Sequence, residues 1–232
     1  MIRLRPAAER GHADHGWLRA AHSFSFAGYL DPEHMGFRAL RVINEDRIAP
    51  GAGFPPHPHR DMEILTYLIS GALAHEDSMG HRSVIRAGEV QRMSAGRGVV
   101  HSEFNASDAE PLHLLQIWLL PASRGVVPSY EQKALAELPG DGALQRVVDP
   151  IGAGGALRLH QDVSLWAGLL AAGAEHRHLL APGRGAWVQV VSGSVDCGGV
   201  RLVPGDGAAV EEQDELLLRA VEDSELLLFD LP

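Results

Sequence analysis

Residues 53–71 read GFPPHPHRDMEILTYLISG, in which two histidines, His57 and His59, precede an apolar run that ends at a glycine. A second stretch ends in His101 and Glu103, again two positions apart. On a β-strand, side chains two positions apart point to the same face. If the two stretches are neighbouring strands, three imidazoles and one carboxylate meet at one point. That arrangement predicts a metal site with nitrogen and oxygen ligands.

Short apolar runs, each ended by glycine or proline, recur along the chain. Spacing of this kind favours an all-β sandwich or barrel. The clearest runs are 64–69, 112–120, 186–191, 216–218 and 226–229. The segment from Ser129 to Leu138 differs, because its apolar residues follow a helical period, and it is predicted to be a short helix.

A loose repeat divides the chain into two halves. In each half an apolar run ends at a turn glycine, Gly71 or Gly193, and a second run ends in a glycine followed by an acidic residue. The repeat predicts two copies of one small barrel. We expect an N-terminal barrel with the metal site over 1–128, a connector over 129–142, and a C-terminal barrel without metal over 143–232.

The composition of the chain argues against nucleic acid and membranes as binding partners. The chain has 232 residues and a formal net charge of -10, from 30 acidic and 20 basic residues. Nucleic-acid binding usually needs a basic face, so direct contact with nucleic acid is not expected. The single cysteine, Cys197, excludes an intrachain disulfide. The N-terminus lacks the apolar core of a signal peptide, and no run of about 18 apolar residues occurs, so we expect a cytoplasmic protein without a membrane partner.

The first half resembles the cupin superfamily. The residues similar to its two motifs are Gly53, His57, His59, Glu63 and Gly71 in the first, and Gly88, Gly96, His101 and Asn105 in the second, with Ser94 where a proline is common. More narrowly, the run from His57 through 91–98 to Glu103 is similar to the pirin family. The segments 22–26 and 227–232 are also similar to its bacterial members.

The resemblance implies a bicupin, with two antiparallel β-barrels of the jelly-roll type, a few short helices and one mononuclear metal in the N-terminal barrel. It implies His57, His59, His101 and Glu103 as the ligands. Glu63 matches the acid that ligates in many other cupins, but in pirins this place is taken by Glu103. Iron is the first expectation, and Mn, Co, Ni, Cu or Zn also suit three histidines and a carboxylate.

The resemblance also implies an activity. Some bacterial pirins are quercetin 2,3-dioxygenases, which cleave a flavonol with O2 and release carbon monoxide. We therefore expect a metal-dependent dioxygenase with a flavonol substrate, in which Glu103 is both a ligand and the general base. Other pirins are described as transcriptional cofactors or enzyme regulators. The alternative is a metal-binding regulatory protein that acts through a protein partner, without turnover.

Several other side chains have both a structural and a functional interpretation. His75, Asp77 and His81 lie in a polar, hairpin-like stretch and are interpreted as solvated loop residues, with the mouth of the barrel as the alternative. Gln116 and Trp118 share one face of a leucine-rich strand. Core packing is favoured for them over a place in the pocket.

Two further segments also have both a structural and a functional interpretation. Residues 22–26 alternate aromatic rings with serines, which predicts a half-buried strand over the core, or alternatively one wall of a pocket for a planar substrate. His176 and His178 are a candidate second metal pair. The place that matches His101 in the second half, 207–212, holds no histidine. The C-terminal barrel is therefore interpreted as a degenerate copy that supports the fold.

Overall fold

The computed structural model describes residues 1–140 and 144–232, and these residues form 22 strands and three 3₁₀ turns. The prediction of an all-β, cupin-like fold is confirmed. The strands are β1 (Ile2–Arg5), β2 (Gly11–Asp14), β3 (Leu18–His22), β4 (Leu40–Ile48), β5 (Gly53–His59), β6 (Glu63–Ser70), β7 (Ala72–Asp77), β8 (Arg82–Arg86), β9 (Glu89–Ser94), β10 (Val99–Asn105), β11 (Leu112–Leu119), β12 (Ser129–Ala134), β13 (Leu144–Asp149), β14 (Leu157–Arg158), β15 (Ser164–Leu170), β16 (Glu175–Leu179), β17 (Gly185–Ser192), β18 (Val195–Cys197), β19 (Val200–Leu202), β20 (Gly207–Val210), β21 (Glu215–Ala220) and β22 (Ser224–Leu231). The 3₁₀ turns are Ala7–Glu9, Leu135–Glu137 and Ala153–Gly155.

The strands group into two compact units. The N-terminal unit is Gly11–Glu137 with Leu159–Gln161, and the C-terminal unit is Met1–Arg10, Leu138–Arg158 and Asp162–Pro232. Each unit holds a seven-stranded and a four-stranded sheet. Within the described part of the chain, the hydrogen bonding thus forms two separate sheets in each unit rather than a closed barrel. Two sheets packed face to face are the jelly-roll solution to burying apolar faces.

The strand order in each sheet shows which strands flank the site. In the N-terminal unit the orders are β12-β9-β6-β11-β4-β3-β2 and β5-β10-β7-β8. In the C-terminal unit they are β1-β20-β17-β22-β15-β13-β14 and β16-β21-β18-β19. The sheets are antiparallel except where β13 pairs with β14.

The first ten residues correct the predicted division at 1–128. They belong to the C-terminal unit, because β1 pairs antiparallel with β20, from Ile2 opposite Val210 to Arg5 opposite Gly207. The backbone N–H of Ala7 also donates to Asp206 Oδ1 at 2.7 Å. The added strand covers the edge of β20, which would otherwise present unpaired backbone groups.

Deleting residues 1–5 should therefore lower the melting temperature. Loss of the pairing and of the partly buried Ile2 should cost about 2 kcal/mol, which corresponds to about 4–8 °C for a chain of this size. Arg3→Ala is the control, since it removes only an exposed ion pair with Glu211 and should have little effect. Calorimetry of the three proteins checks this, and an unchanged melting temperature in the deletion variant would show that β1 is dispensable.

The predicted helix from Ser129 to Leu138 is wrong. Residues 129–134 form β12, which pairs antiparallel with β9, from Ser129 opposite Ser94 to Ala134 opposite Glu89. Only the 3₁₀ turn at 135–137 follows it. Pairing with an open sheet edge satisfies the backbone of this segment and overrides its helical pattern. Residues 129–137 of the predicted connector thus belong to the N-terminal unit, whereas residues 138–140 belong to the C-terminal unit. Residues 141–143 lie outside the described residues.

The core of the N-terminal unit has a polar row between two apolar clusters. Along β11 the inward side chains are Leu114 in one cluster, then Gln116, then Trp118 packed against the other cluster. Along β6, Leu68 and Ile64 occupy the corresponding clusters, and Thr66 lies between them. The strand register thus sets a band of polar side chains across the sheet, at the level of the site described below.

Over residues 1–140 and 144–232, the structure contains no helix with the length and apolar character needed to cross a membrane.

Candidate metal centre

Three histidines meet where β5 and β10 lie side by side. The strands are antiparallel with His101 directly opposite His57, and His59 follows two positions along β5. One candidate ligand atom from each histidine lies within 4.8 Å of the others. The strands thus bring together these three predicted ligands, as the spacing of two residues requires.

Glu103 belongs to a second triad. The register of β10 against β5 shifts between His101 and Glu103, and the carboxylate lies with His101 and His75, whose ligand atoms are also within 4.8 Å of one another. His101 is the member that both triads share. His75 on β7 is directly opposite Glu103, and the sequence interpretation missed this buried neighbour.

The His101 ring fits a metal. It is buried, and neither Nδ1 nor Nε2 has a hydrogen-bond partner among the described residues. A buried polar atom without a hydrogen-bond partner destabilises the folded protein, and a bound ion can provide the missing partner. The His57 ring is oriented for the same purpose, because Nδ1 donates to the carbonyl oxygen of Pro55 at 2.8 Å and leaves the Nε2 lone pair available.

The protonation state of the histidines suits ligation. Burial, together with the nearby His57, lowers the pKa of His101 to about 2 and that of His59 to about 4. The neutral imidazole is the form that coordinates a metal. At neutral pH both rings can therefore bind an ion without first losing a proton.

Glu103 is held by donors from the seven-stranded sheet. Gln91 Nε2 donates to Oε1 at 2.7 Å and Gln116 Nε2 donates to Oε2 at 2.6 Å, and the Thr66 hydroxyl lies at 3.5 Å from Oε1. Thr66 is directly opposite both Gln91 and Gln116 in the sheet. Burial raises the pKa of Glu103 to about 7, and these hydrogen bonds act in the opposite direction.

Gln91→Leu should weaken metal binding by about 10–100-fold, the usual effect of losing a group that orients a ligand. Gln132→Leu is a matched control, because Gln132 lies opposite Gln91 in the sheet but bonds to Tyr130, to Glu89 and to the carbonyl of Val84, and not to Glu103. Titration against a competing chelator measures both affinities. Equal affinity in Gln91→Leu and wild type would show that Glu103 needs no such support.

The interpretation of His75, Asp77 and His81 as solvated loop residues is wrong for two of them. His75 and Asp77 are buried residues of β7. Asp77 Oδ2 lies 3.3 Å from His75 Nε2 and 3.0 Å from His81 Nδ1. The other ring nitrogen of His75, Nδ1, has no hydrogen-bond partner among the described residues and lies 4.0 Å from Glu103 Oε1. Tyr130 stacks on His75 at 4.7 Å between ring centroids. This group forms the layer behind Glu103.

A cavity opens onto the three histidines. Its volume is ≈ 180 Å³. Its walls include Trp118, which makes an edge contact with His59 at 4.9 Å between ring centroids, and Phe26, which meets Trp118 at 5.4 Å. Walls formed by aromatic rings suit contact with a flat aromatic molecule.

The lining of the cavity decides two of the alternatives left open by the sequence. Gln116 and Trp118 both line it, so the preference for ordinary core packing is wrong. In the segment 22–26, His22 and Phe26 also line the cavity. The predicted strand over this segment is wrong, because β3 ends at His22. Phe24 is a buried core residue.

A second carboxyl faces the same cavity. Asp46 on β4 is only 3% exposed, and its Oδ1 has no hydrogen-bond partner among the described residues. Burial and the negative charges of Glu103 and Glu45 raise its pKa to about 7. Beside it on the strand, Asn44 Oδ1 accepts a hydrogen bond from His22 Nδ1 at 2.8 Å. Sequence reasoning did not single out Asp46, because one acid in a strand carries no local signal.

The remaining candidates have structural partners. Ser94 Oγ donates to Glu63 Oε2 at 2.7 Å, and His160 Nδ1 lies 3.4 Å from Glu63 Oε1. In the C-terminal unit His176 and His178 are buried on β16, and His178 Nε2 lies 2.9 Å from Asp230 Oδ2. That this unit holds no metal stays a prediction.

Comparison with known proteins agrees with the fold and the site. The pirin family model matches residues 3–119, and the model of the quercetinase C-terminal cupin domain matches residues 146–231. A protein of Escherichia coli (strain K12) named quercetin 2,3-dioxygenase is 49% identical over 232 residues, which cover 100% of this chain and 99% of that protein. A pirin-like protein of Caulobacter vibrioides is 41% identical over 231 residues, 99% of each chain.

A solved structure extends the comparison to the metal. The bacterial pirin YhhW from Escherichia coli, in complex with nickel(II), has a TM-score of 0.95 and 49% identity and covers 100% of this chain and 99% of that chain. That complex and the histidine cluster support a single metal site. Given the two family matches and the identity over the whole length, this chain belongs to the pirin family.

Proposed function

We propose that this chain is a metal-dependent dioxygenase that cleaves a flavonol such as quercetin with O2 and releases carbon monoxide. The observation that carries the proposal is the meeting of three histidines on the wall of a cavity lined by aromatic side chains. The names of the relatives support it, since proteins of Escherichia coli and Pasteurella multocida, 49% and 47% identical, are called quercetin 2,3-dioxygenase and putative quercetin 2,3-dioxygenase.

The ligands would be His57, His59, His101 and Glu103. When bound, the metal would supply a Lewis acid that lowers the pKa of a substrate hydroxyl. Iron remains our first expectation. The nickel(II) in the related structure is a property of that protein, and three histidines with one carboxylate suit several divalent metals.

Glu103 is the proposed acceptor for the proton of the flavonol 3-hydroxyl. A carboxylate can take up that proton, and the amides of Gln91 and Gln116 keep its two oxygens oriented. Trp118 and Phe26 would pack against the flat rings of the substrate and exclude water from the site.

Reconstitution with Fe, Mn, Co, Ni, Cu and Zn in turn, followed by incubation with quercetin and O2, tests the proposal. We expect at least one metal form to consume flavonol and O2 in equal amounts. Flavones that lack the 3-hydroxyl should be inert, because they cannot offer that oxygen to the site. Consumption of such flavones at the same rate would contradict the proposed chemistry, and no consumption with any metal would favour a regulatory protein.

A further inference from the structure

The cavity contains a carboxyl that neither the fold nor the metal site uses. Asp46 lines the same cavity as the three histidines, yet it belongs to neither of the two triads. Its Oδ1 accepts no hydrogen bond from any residue that the structure describes. At 3% exposure it has also lost most of its contact with water.

The residues directly opposite Asp46 on the two neighbouring strands supply no hydrogen-bond donor. Ala20 on β3 and Leu114 on β11 are directly opposite it, and neither has a polar side chain. The charges that act on the Asp46 carboxyl, those of Glu103 and Glu45, are both negative. A buried carboxyl whose Oδ1 receives no hydrogen bond destabilises the folded protein.

Other buried aspartates in the chain show the usual arrangement. Asp149 is equally buried, at 3% exposure. It accepts hydrogen bonds from the backbone N–H groups of Ile151 and Ala153, both at 2.9 Å, and pairs with Arg146 at 2.6 Å. Asp46 differs from it in having no donor and in facing a cavity. Buried polar groups that destabilise the fold are characteristic of sites that bind a ligand.

We propose that Asp46 accepts a hydrogen bond from a phenolic hydroxyl of the aromatic substrate, other than the hydroxyl that meets the metal ligands. The inference rests on the proposed function, which supplies a polyhydroxylated aromatic molecule to this cavity. Asp46 then selects substrates by the position of a second hydroxyl. An analogue without that hydroxyl leaves the buried acceptor unpaired, which is the most effective basis for rejecting it.

The test compares quercetin with flavonols that keep the 3-hydroxyl and lack one other hydroxyl each. For the wild type, loss of one particular hydroxyl should raise Kd and lower kcat/KM by at least about tenfold. Asp46→Ala should lose this discrimination and bind quercetin only as well as that analogue. Most of the change should lie in KM, because Asp46 contributes to binding more than to the chemical step.

Thermal melting of the ligand-free protein provides an independent readout. Asp46→Asn should raise the melting temperature, because burying an uncharged amide costs less free energy than burying a carboxyl without a partner. The matched variant Asp149→Asn should lower it, because that carboxylate is fully partnered. A fall with Asp46→Asn would mean that the fold uses this carboxyl, and it would overturn the inference.

The two proposals fail in different ways. If the wild type cleaves every analogue equally well, or if Asp46→Ala keeps the wild-type discrimination, the Asp46 inference is wrong and the dioxygenase proposal stands. If the wild type binds flavonols with the expected discrimination but cleaves none with any metal, the dioxygenase proposal is wrong and the role of Asp46 in recognition stands.

Discussion

His101→Ala is expected to abolish metal binding. His101 is the residue that both triads share, and its two ring nitrogens have no protein partner among the described residues. Loss of a group that only orients a ligand typically weakens metal affinity by 10–100-fold, so loss of this ligand should cost at least about 100-fold. Metal content after dialysis against a chelator, measured by elemental analysis, gives the result directly.

His176→Ala is the control for this prediction. His176 is a buried histidine on a strand, as His101 is, but it lies in the C-terminal unit and in neither triad. Its replacement should leave the metal content unchanged. A variant with both His57 and His101 replaced by alanine that still holds a full complement of metal would place the ion elsewhere.

Glu103→Gln is expected to lose turnover even when the metal is restored. The amide cannot accept the substrate proton, and a general base typically contributes about a hundredfold to ten-thousandfold in rate. The structure adds a second effect. Gln91 and Gln116 both donate to Glu103, and the new amide has one oxygen instead of two. One of these donors then faces an N–H group, so a lower melting temperature should accompany the substitution.

Rates in this variant must be compared per bound metal, because the amide is a weaker ligand. Flavonol binding, followed by its absorbance, should survive in part and shows that the cavity is intact. Turnover within a factor of about three of the wild type, far below the range for a general base, would make Glu103 a ligand only.

The sequence was sufficient for the local part of the site. The spacing of His57 and His59 determines which face of β5 they share, and the same holds for His101 and Glu103 on β10. The sequence could not show that β7 pairs with β10 and places His75 directly opposite Glu103, nor that the register of β10 against β5 shifts between His101 and Glu103. Such a shift depends on strand pairing rather than on spacing.

The polar row was beyond sequence reasoning for a related reason. Gln91, Thr66 and Gln116 come from strands that are neighbours only because β6 lies between β9 and β11. A single polar residue within an apolar run, such as Thr66, is the one local sign of this row. Asp46 is similar, since only the strand pairing places the apolar Ala20 and Leu114 directly opposite it.

Two of the errors in the predicted fold have a common cause. The segment 129–134 has a helical stripe but becomes an edge strand, and residues 2–5 pair with a strand about two hundred positions away. In both cases a sheet edge provides hydrogen bonds that the isolated segment cannot supply. The local pattern of apolar and polar residues predicts which residues of a strand are buried. It does not show which distant sheet edge a segment pairs with.

Carbon monoxide release tests the dioxygenase proposal most directly. Metal-reconstituted wild-type protein is incubated with quercetin under O2, and the gas phase is analysed alongside flavonol loss. We expect carbon monoxide and flavonol to change in equal amounts with at least one metal, and no carbon monoxide from His101→Ala under the same conditions. Flavonol that binds but yields no carbon monoxide with any of the metals would contradict the proposal.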